Sequence, residues 1–193
     1  MYVPAIAEEA QGLDPRVRRT RKMLRDSLSK LMKEKDFDKI SIGDIAEEST
    51  LNRATFYDHY PDKLALLECL VGTQFQELIV ERNITFSSCD GALKNVAMGV
   101  CYYLAENTKP GADGQRQANS RMETVIVAVV RRMILDGMAQ HPPKPGVSPE
   151  VLASTVAWAI YGAAKEWVQS SGNVPVSEFG DTIEKLVKPV LMA

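Results

Sequence analysis

The sequence predicts an all-α protein of about nine helices, with an N-terminal three-helix head built around a helix-turn-helix, a linking helix and a larger helical body. Three observations carry this. Apolar residues recur at three- and four-residue spacing in segment after segment. The segments open on helix-start chemistry, at Asp14-Pro15, Ser41, Asn52, Pro61-Asp62 and Ser148-Pro149. The one run with strand propensity, Val125 to Val130, has no partner strand elsewhere, so it reads as a helix buried on most sides.

Residues 1–13 read as a flexible N-terminus. Asp14 caps a first helix that ends near Lys35, with Val17, Leu24, Leu28, Leu31 and Met32 as its apolar stripe. Between Arg16 and Arg25 this helix carries six basic residues and no acidic one. Phe37 and Ile40 fill the gap before a motif spanning residues 41–60. There Ser41 caps a short helix, and Asp44 three residues later completes a capping-box pattern. Ile42, Ile45 and Ala46 share one face, and small Ala46 lets a second helix cross closely. The chain turns at Ser49-Thr50-Leu51. Asn52 caps the second helix, which sends Phe56 inward and leaves Arg53, Ala54, Thr55, Tyr57 and Asp58 around the outside. A short capped helix presenting Arg, Thr and Tyr beside a supporting helix is the layout of a helix-turn-helix DNA reader.

The motif resembles that of the tetracycline-repressor (TetR) family of bacterial transcription regulators. The matching residues are Ile42, Asp44-Ile45-Ala46, Leu51 to Tyr57, His59-Tyr60 and Lys63-Leu64. With the preceding helix the resemblance covers roughly residues 14–78, which we take as the DNA-binding domain. Residues 79–193 are then a regulatory domain that the resemblance implies binds a small ligand and dimerises. One departure stands out: the turn position that is usually glycine in the family is Thr50, a β-branched residue where φ > 0 is expected to bring strain.

Beyond the motif, Pro61-Asp62 opens a helix of more than twenty residues, to about Asn83, with Leu64, Leu67, Leu70, Val71, Phe75, Leu78 and Ile79 at 3-4 spacing. Ser87 and Asp90 signal the next, which reaches about Glu106. Asn107 to Gly114 breaks the pattern, a helix follows from about Gln117 to Gln140, and residues 141–146 form a Pro-rich loop. The helix from Ser148 to about Ser171 is apolar nearly all round, and the last runs from about Ser177 to Leu191.

Composition narrows the function. At 45% hydrophobic and 25% charged the chain is an ordinary globular protein. Its net charge of -2 means that a nucleic-acid binder must concentrate its basic residues locally, as the first helix does. The three cysteines, Cys69, Cys89 and Cys101, lack metal-ligand spacing and read as reduced thiols of a cytoplasmic protein. Residues 1–13 lack signal-peptide character, and the longest apolar run, Val156 to Ala164, is too short to span a membrane. The two histidines, His59 and His141, lie in unrelated contexts, and no glycine-rich phosphate loop, metal cluster or nucleophile-base spacing occurs, so we expect no enzyme, no metal and no cofactor.

The expected function is therefore a sequence-specific DNA-binding regulator, a ligand-released repressor acting as a homodimer on a near-palindromic operator. The alternative is a helical protein-interaction module that uses the same motif as a protein contact. For DNA, Arg53 suits guanine O6 and N7, Asn52 and Thr55 suit base edges or a phosphate, and Ala54 suits a thymine methyl. Tyr57, His59 and Lys63 resemble the family's phosphate-contacting positions. Ser41 at the start of its helix, with Arg18 and Arg19 from the basic run, adds phosphate contacts. Candidate pocket residues are Met98, Cys101, Tyr102, Met122, Glu123, Ile126, Met133, Trp158 and Tyr161. Arg131, Lys165 and Glu166, with Glu123, are polar groups on apolar helices that need partners if they face inward. The dimer is expected through the last two helices, with Val156, Ile160, Trp167, Phe179, Ile183, Leu186, Val187 and Val190 at the contact of a four-helix bundle. The effector, the operator and the choice between repressor and activator are not written in these residues.

Overall fold

The computed structural model describes residues 14–84, 91–107, 115–140, 146–170 and 174–192. Among them are eight α-helices and one short 3-10 turn, so the all-α expectation holds. The head comprises α1 (Pro15–Glu34), the 3-10 turn Phe37–Lys39, α2 (Ile42–Glu48) and α3 (Arg53–His59). Then come α4 (Lys63–Glu81), α5 (Ala92–Asn107), α6 (Gln115–Gln140), α7 (Pro149–Gln169) and α8 (Val176–Met192). The Ser87 and Asp90 start signals, the stretch 108–114, loop residues 141–145 and Cys89 lie outside the described residues.

Local chemistry sets the head. Asp14 accepts the Arg16 N–H at 2.8 Å with Pro15 at the first helical position. At α2 both halves of the capping box form: the Asp44 N–H donates to Ser41 Oγ at 3.1 Å, and the Ser41 N–H donates to the Asp44 carboxylate at 2.7 Å. Asn52 Oδ1 accepts the Thr55 N–H at 2.7 Å, and Asp62 accepts the Ala65 N–H at 2.8 Å to start α4. Ile45 and Phe56 are fully buried and clamp α2 against α3. Each such side chain contributes about 1.5–3 kcal/mol by burial.

The turn between α2 and α3 has a definite form. The Leu51 N–H donates to the Ala46 carbonyl at 2.9 Å and the Thr50 N–H donates to that of Glu47 at 3.0 Å. This pair of bonds is a Schellman motif, and it needs its penultimate residue in the left-handed region. Thr50 occupies that place with φ 56°. Asn83 does the same after α4, at φ 52° with the Ile84 N–H donating to the Ile79 carbonyl at 2.9 Å.

The helix α4 joins the parts. It packs against α1 on one side and against α5 and α6 on the other, while α5, α7 and α8 pack mutually and α6 lies on α7. The buried residues form one continuous cluster, from Leu24 and Phe56 through Leu67 and Phe75 to Val130, Ile160 and Val187. An ion pair adds a polar link, with Arg121 Nε of α6 at 2.8 Å from the Asp38 carboxylate in the 3-10 turn.

One expectation changes here and another holds. The helix α7 is not buried on all sides within one chain: apolar Val151 and Trp158 are 57% and 49% exposed on a stripe that also holds Thr155 and Gly162. The stretch Val125 to Val130 is helical as expected, with all but Ala128 buried.

Candidate nucleic-acid interface

The outward surface of α3 is formed by Asn52, Arg53, Ala54, Tyr57 and Asp58, all exposed, with Thr55 and His59 half-buried at its edges. Phe56 anchors it from beneath and meets the Tyr57 ring edge-on at 5.6 Å between centroids. Tyr57 is thus held at its base while 56% of it remains exposed. The Asn52 amide oxygen also accepts the Thr55 hydroxyl at 3.1 Å, so both side chains serve first as the helix cap. These two bonds hold the first turn of α3 at its N-terminal end.

The basic run of α1 divides by burial. Arg16, Arg18 and Arg19 are exposed, and exposed Lys22 pairs with Asp26 at 2.8 Å. Arg21 is half-buried with its guanidinium 5.7 Å from the centre of the Tyr60 ring. Arg25 is interior, donating to Cys69 Sγ at 3.9 Å, so it belongs to the core of the head rather than to a charged surface. Tyr60 is buried beside it and donates its hydroxyl to the same sulfur at 3.3 Å; desolvation pushes the phenol well above its ordinary value.

Three residues expected at phosphates stand differently. Lys63 turns inward along the head. Its ammonium donates to the carbonyls of Phe37, Asp38 and Ile40 at 3.0, 3.2 and 2.8 Å and lies 4.7 Å from the centre of the Phe37 ring. An ammonium has three protons to give, and all three are used. Lys63 therefore pins the loop that leads into α2. At the start of α2 the Asp44 carboxylate already accepts the Ser41 N–H. That bond, followed by the Lys35 ammonium at 3.1 Å, lowers the carboxyl from 3.8 to about 2. A negative group thus lies beside Ser41 and takes up its N–H. His59 lines a cleft of about 210 Å³ between the head and α6, together with Tyr60, Glu68, Cys69, Val129 and Arg132. Desolvation, then the charge of Arg21, holds its imidazole below 6.5.

Sequence reasoning missed Gly43. A Cβ there would fall 3.2 Å from Arg53 Cζ and 3.3 Å from its Nε, and closer still to Nη2. The Arg53 guanidinium therefore reaches with its Nη2 end into the space that a side chain at residue 43 would take. The signal was present as a glycine in the first turn of a predicted helix.

The pocket candidates are dispersed by burial. Cys101, Ile126, Met133 and Tyr161 are buried in the body, while Met98, Tyr102, Met122 and Glu123 are half-buried. Burial pushes the Cys101 thiol up to about 12, an inert group. Trp158 faces outward, so it does not line an interior cavity of this chain. The polar residues have partners: Lys165 Nζ lies 3.4 Å from the Glu123 carboxylate and Arg131 Nε donates to Ser154 Oγ at 2.9 Å. Glu166 is exposed. Of the residues expected at a dimer contact, Val156, Ile160, Ile183 and Val187 are buried within the single chain. They pack α7 and α8 against the rest of the body. Trp167, Phe179 and Val190 are half-buried, and Leu186 is 66% exposed.

The sequence profile described as "Bacterial regulatory proteins, tetR family" matches residues 24–70. A stretch of 104 residues is 35% identical to YxbF, an uncharacterised HTH-type transcriptional regulator of Bacillus subtilis (strain 168); it covers 53% of this chain and 27% of that protein's length. Among solved structures, a TetR transcriptional regulator from Rhodococcus sp. RHA1 is similar at TM-score 0.48 and 14% identity, covering 90% of this chain and 97% of that one. NalD, the secondary repressor of the MexAB-OprM multidrug efflux pump in Pseudomonas aeruginosa, is similar at TM-score 0.47 and 15% identity, covering 92% and 98%. The matched residues 24–70 hold most of α1, all of α2 and α3, and the first turns of α4, so this N-terminal part of the chain is similar to the tetR family of bacterial regulatory proteins.

Proposed function

We propose that the protein is a sequence-specific DNA-binding transcriptional regulator, a homodimeric repressor released by a small-molecule effector. The observation that carries this reading is the outward face of α3. Arg53, Ala54 and Tyr57 are presented on a helix fixed by a cap at one end and by buried Phe56 beneath. The helix enters the major groove, where Arg53 reads guanine and Ala54 meets a thymine methyl. Exposed Arg16, Arg18 and Arg19 on α1, with Tyr57, supply phosphate contacts. Residues 14–78 act as the reading unit and residues 79–193 as the regulatory unit, on the chromosome in the cytoplasm.

One head reads too few base pairs for specificity, so two heads about 34–36 Å apart read a near-palindrome. The outward stripe of α7, with Val151 and Trp158, and the exposed Leu186 of α8 are the surface we assign to the second copy. An effector in the body shifts the head spacing through α4, which touches both parts. A coupling of about 1–3 kcal/mol weakens operator binding roughly 5–150-fold.

The test is a gel-shift titration on duplexes selected by the protein from a randomised library, repeated over a salt series. Selective binding that weakens steeply with salt supports the reading. Equal binding to selected and scrambled duplexes, or none, favours the protein-interaction alternative. Sedimentation at micromolar concentration tests the dimer: a monomer of 21.3 kDa as the sole species removes it.

A further inference from the structure

We infer that Gly43 is a positioning residue for DNA recognition: its missing side chain makes the seat on α2 that fixes the direction of Arg53. This rests on the DNA-reading role proposed above. Glycine is unfavourable inside a helix relative to alanine, so a glycine in the first turn of the seven-residue α2 calls for a reason. Its φ is not in the left-handed region, so backbone conformation does not demand it. What glycine supplies is space for the end of the Arg53 side chain. The position that a Cβ would take lies against Nη2, Cζ and Nε of Arg53, three atoms of one planar group. Gly99 and Gly180 are also close-packed helical glycines, but they receive the Phe75 ring and the stems of Met98 and Lys94 from the body. Gly43 alone among these receives an exposed charged side chain, and that chain belongs to the outward face of α3.

A long arginine side chain in water samples many rotamers, and fixing it on binding opposes affinity. Seating the Nη2 end in the space beside Gly43 removes much of that freedom before DNA arrives. The guanidinium is then held at the α2–α3 edge, and this arrangement is kept in the complex. A methyl group at residue 43 lifts the guanidinium off α2 and leaves it to wander.

The experiment is a double-mutant cycle with Gly43→Ala, Arg53→Ala and the combined variant, titrated on the duplex that wild-type protein selects from a randomised library. Gly43→Ala is expected to weaken that binding by roughly 3–10-fold, the scale of one immobilised side chain. In the Arg53→Ala background the same change is expected to do nothing. Its melting temperature should be equal or higher, since alanine favours the helix. In the free protein, a nuclear Overhauser contact between the Gly43 α-protons and the Arg53 side chain should be present. Wild-type affinity in Gly43→Ala, tighter binding, an equal loss in both backgrounds, or absence of that contact overturns the inference. Failure of wild-type protein to select any duplex overturns the DNA-reading role and this inference with it.

Discussion

Replacing Thr50 with glycine removes a strained backbone position from the turn that sets α3 against α2. The strain follows from two facts together. The Schellman bonds from Thr50 and Leu51 to Glu47 and Ala46 require the left-handed conformation, and Thr50 adopts it at φ 56° with a branched Cβ. That conformation costs about 1–2 kcal/mol for an L residue with a Cβ. Glycine removes this penalty but loses about 0.5–1 kcal/mol through its freer unfolded chain. The net stabilisation is about 0.5–1 kcal/mol, a rise in melting temperature of about 1–4 °C for a chain of this size. Asn83 is the internal control. It fills the equivalent place after α4 at φ 52°, and asparagine tolerates the left-handed region, so Asn83→Gly should shift the melting temperature less. Calorimetry or urea denaturation of both variants reads the difference. An unchanged or lower melting temperature for Thr50→Gly, or an equal gain for Asn83→Gly, refutes the argument that strain resides in the α2–α3 turn.

Other expectations follow from the same geometry. Lys63→Met should destabilise the fold by about 1.5–3 kcal/mol through loss of charged hydrogen bonds, and denaturant titration measures it. The salt dependence of DNA binding by that variant should keep the wild-type slope; a slope smaller by about 0.9 would mean that Lys63 touches a phosphate after all. Phe56→Ala should cost about 3–5 kcal/mol, because it empties the contact between α2 and α3; a loss below 1 kcal/mol, well under that range, would mean that the site collapses freely. Asp44 should titrate near 2 in the folded protein, against an ordinary 3.8. A carboxyl lowered by folding stabilises at pH above its unfolded value and loses that contribution as pH falls from about 4 through 2. Carboxyl chemical shifts followed through that window check it, and a midpoint near 4 would deny the capping box.

What was legible in the sequence was the local chemistry. Asp14, Ser41, Asn52 and Asp62 cap helices because a short polar side chain reaches a backbone N–H two or three residues on, and nothing distant need be known. The positive φ at Thr50 was legible because the turn repeats a known pattern. Distance hid the rest. Lys63 bonds carbonyls 23 to 26 residues away, so its side chain looked like one more surface cation. Gly43 and Arg53 meet only after the turn has brought α2 and α3 together. On α7, inward Val156 and Ile160 and outward Val151 and Trp158 are all apolar, and periodicity does not say which face the chain itself covers. Arg25 continued a run of basic residues, and only the packing of α1 on α4 shows that it turns inward.

If α3 is the surface that DNA meets, backbone amide chemical shifts recorded while the selected duplex is added will show it. The largest shifts are expected at residues 52–58, with smaller ones at Arg16, Arg18 and Arg19, and little change at buried body residues such as Val130 and Ile160. Shifts concentrated on α7 and α8 with residues 52–58 unmoved would contradict it.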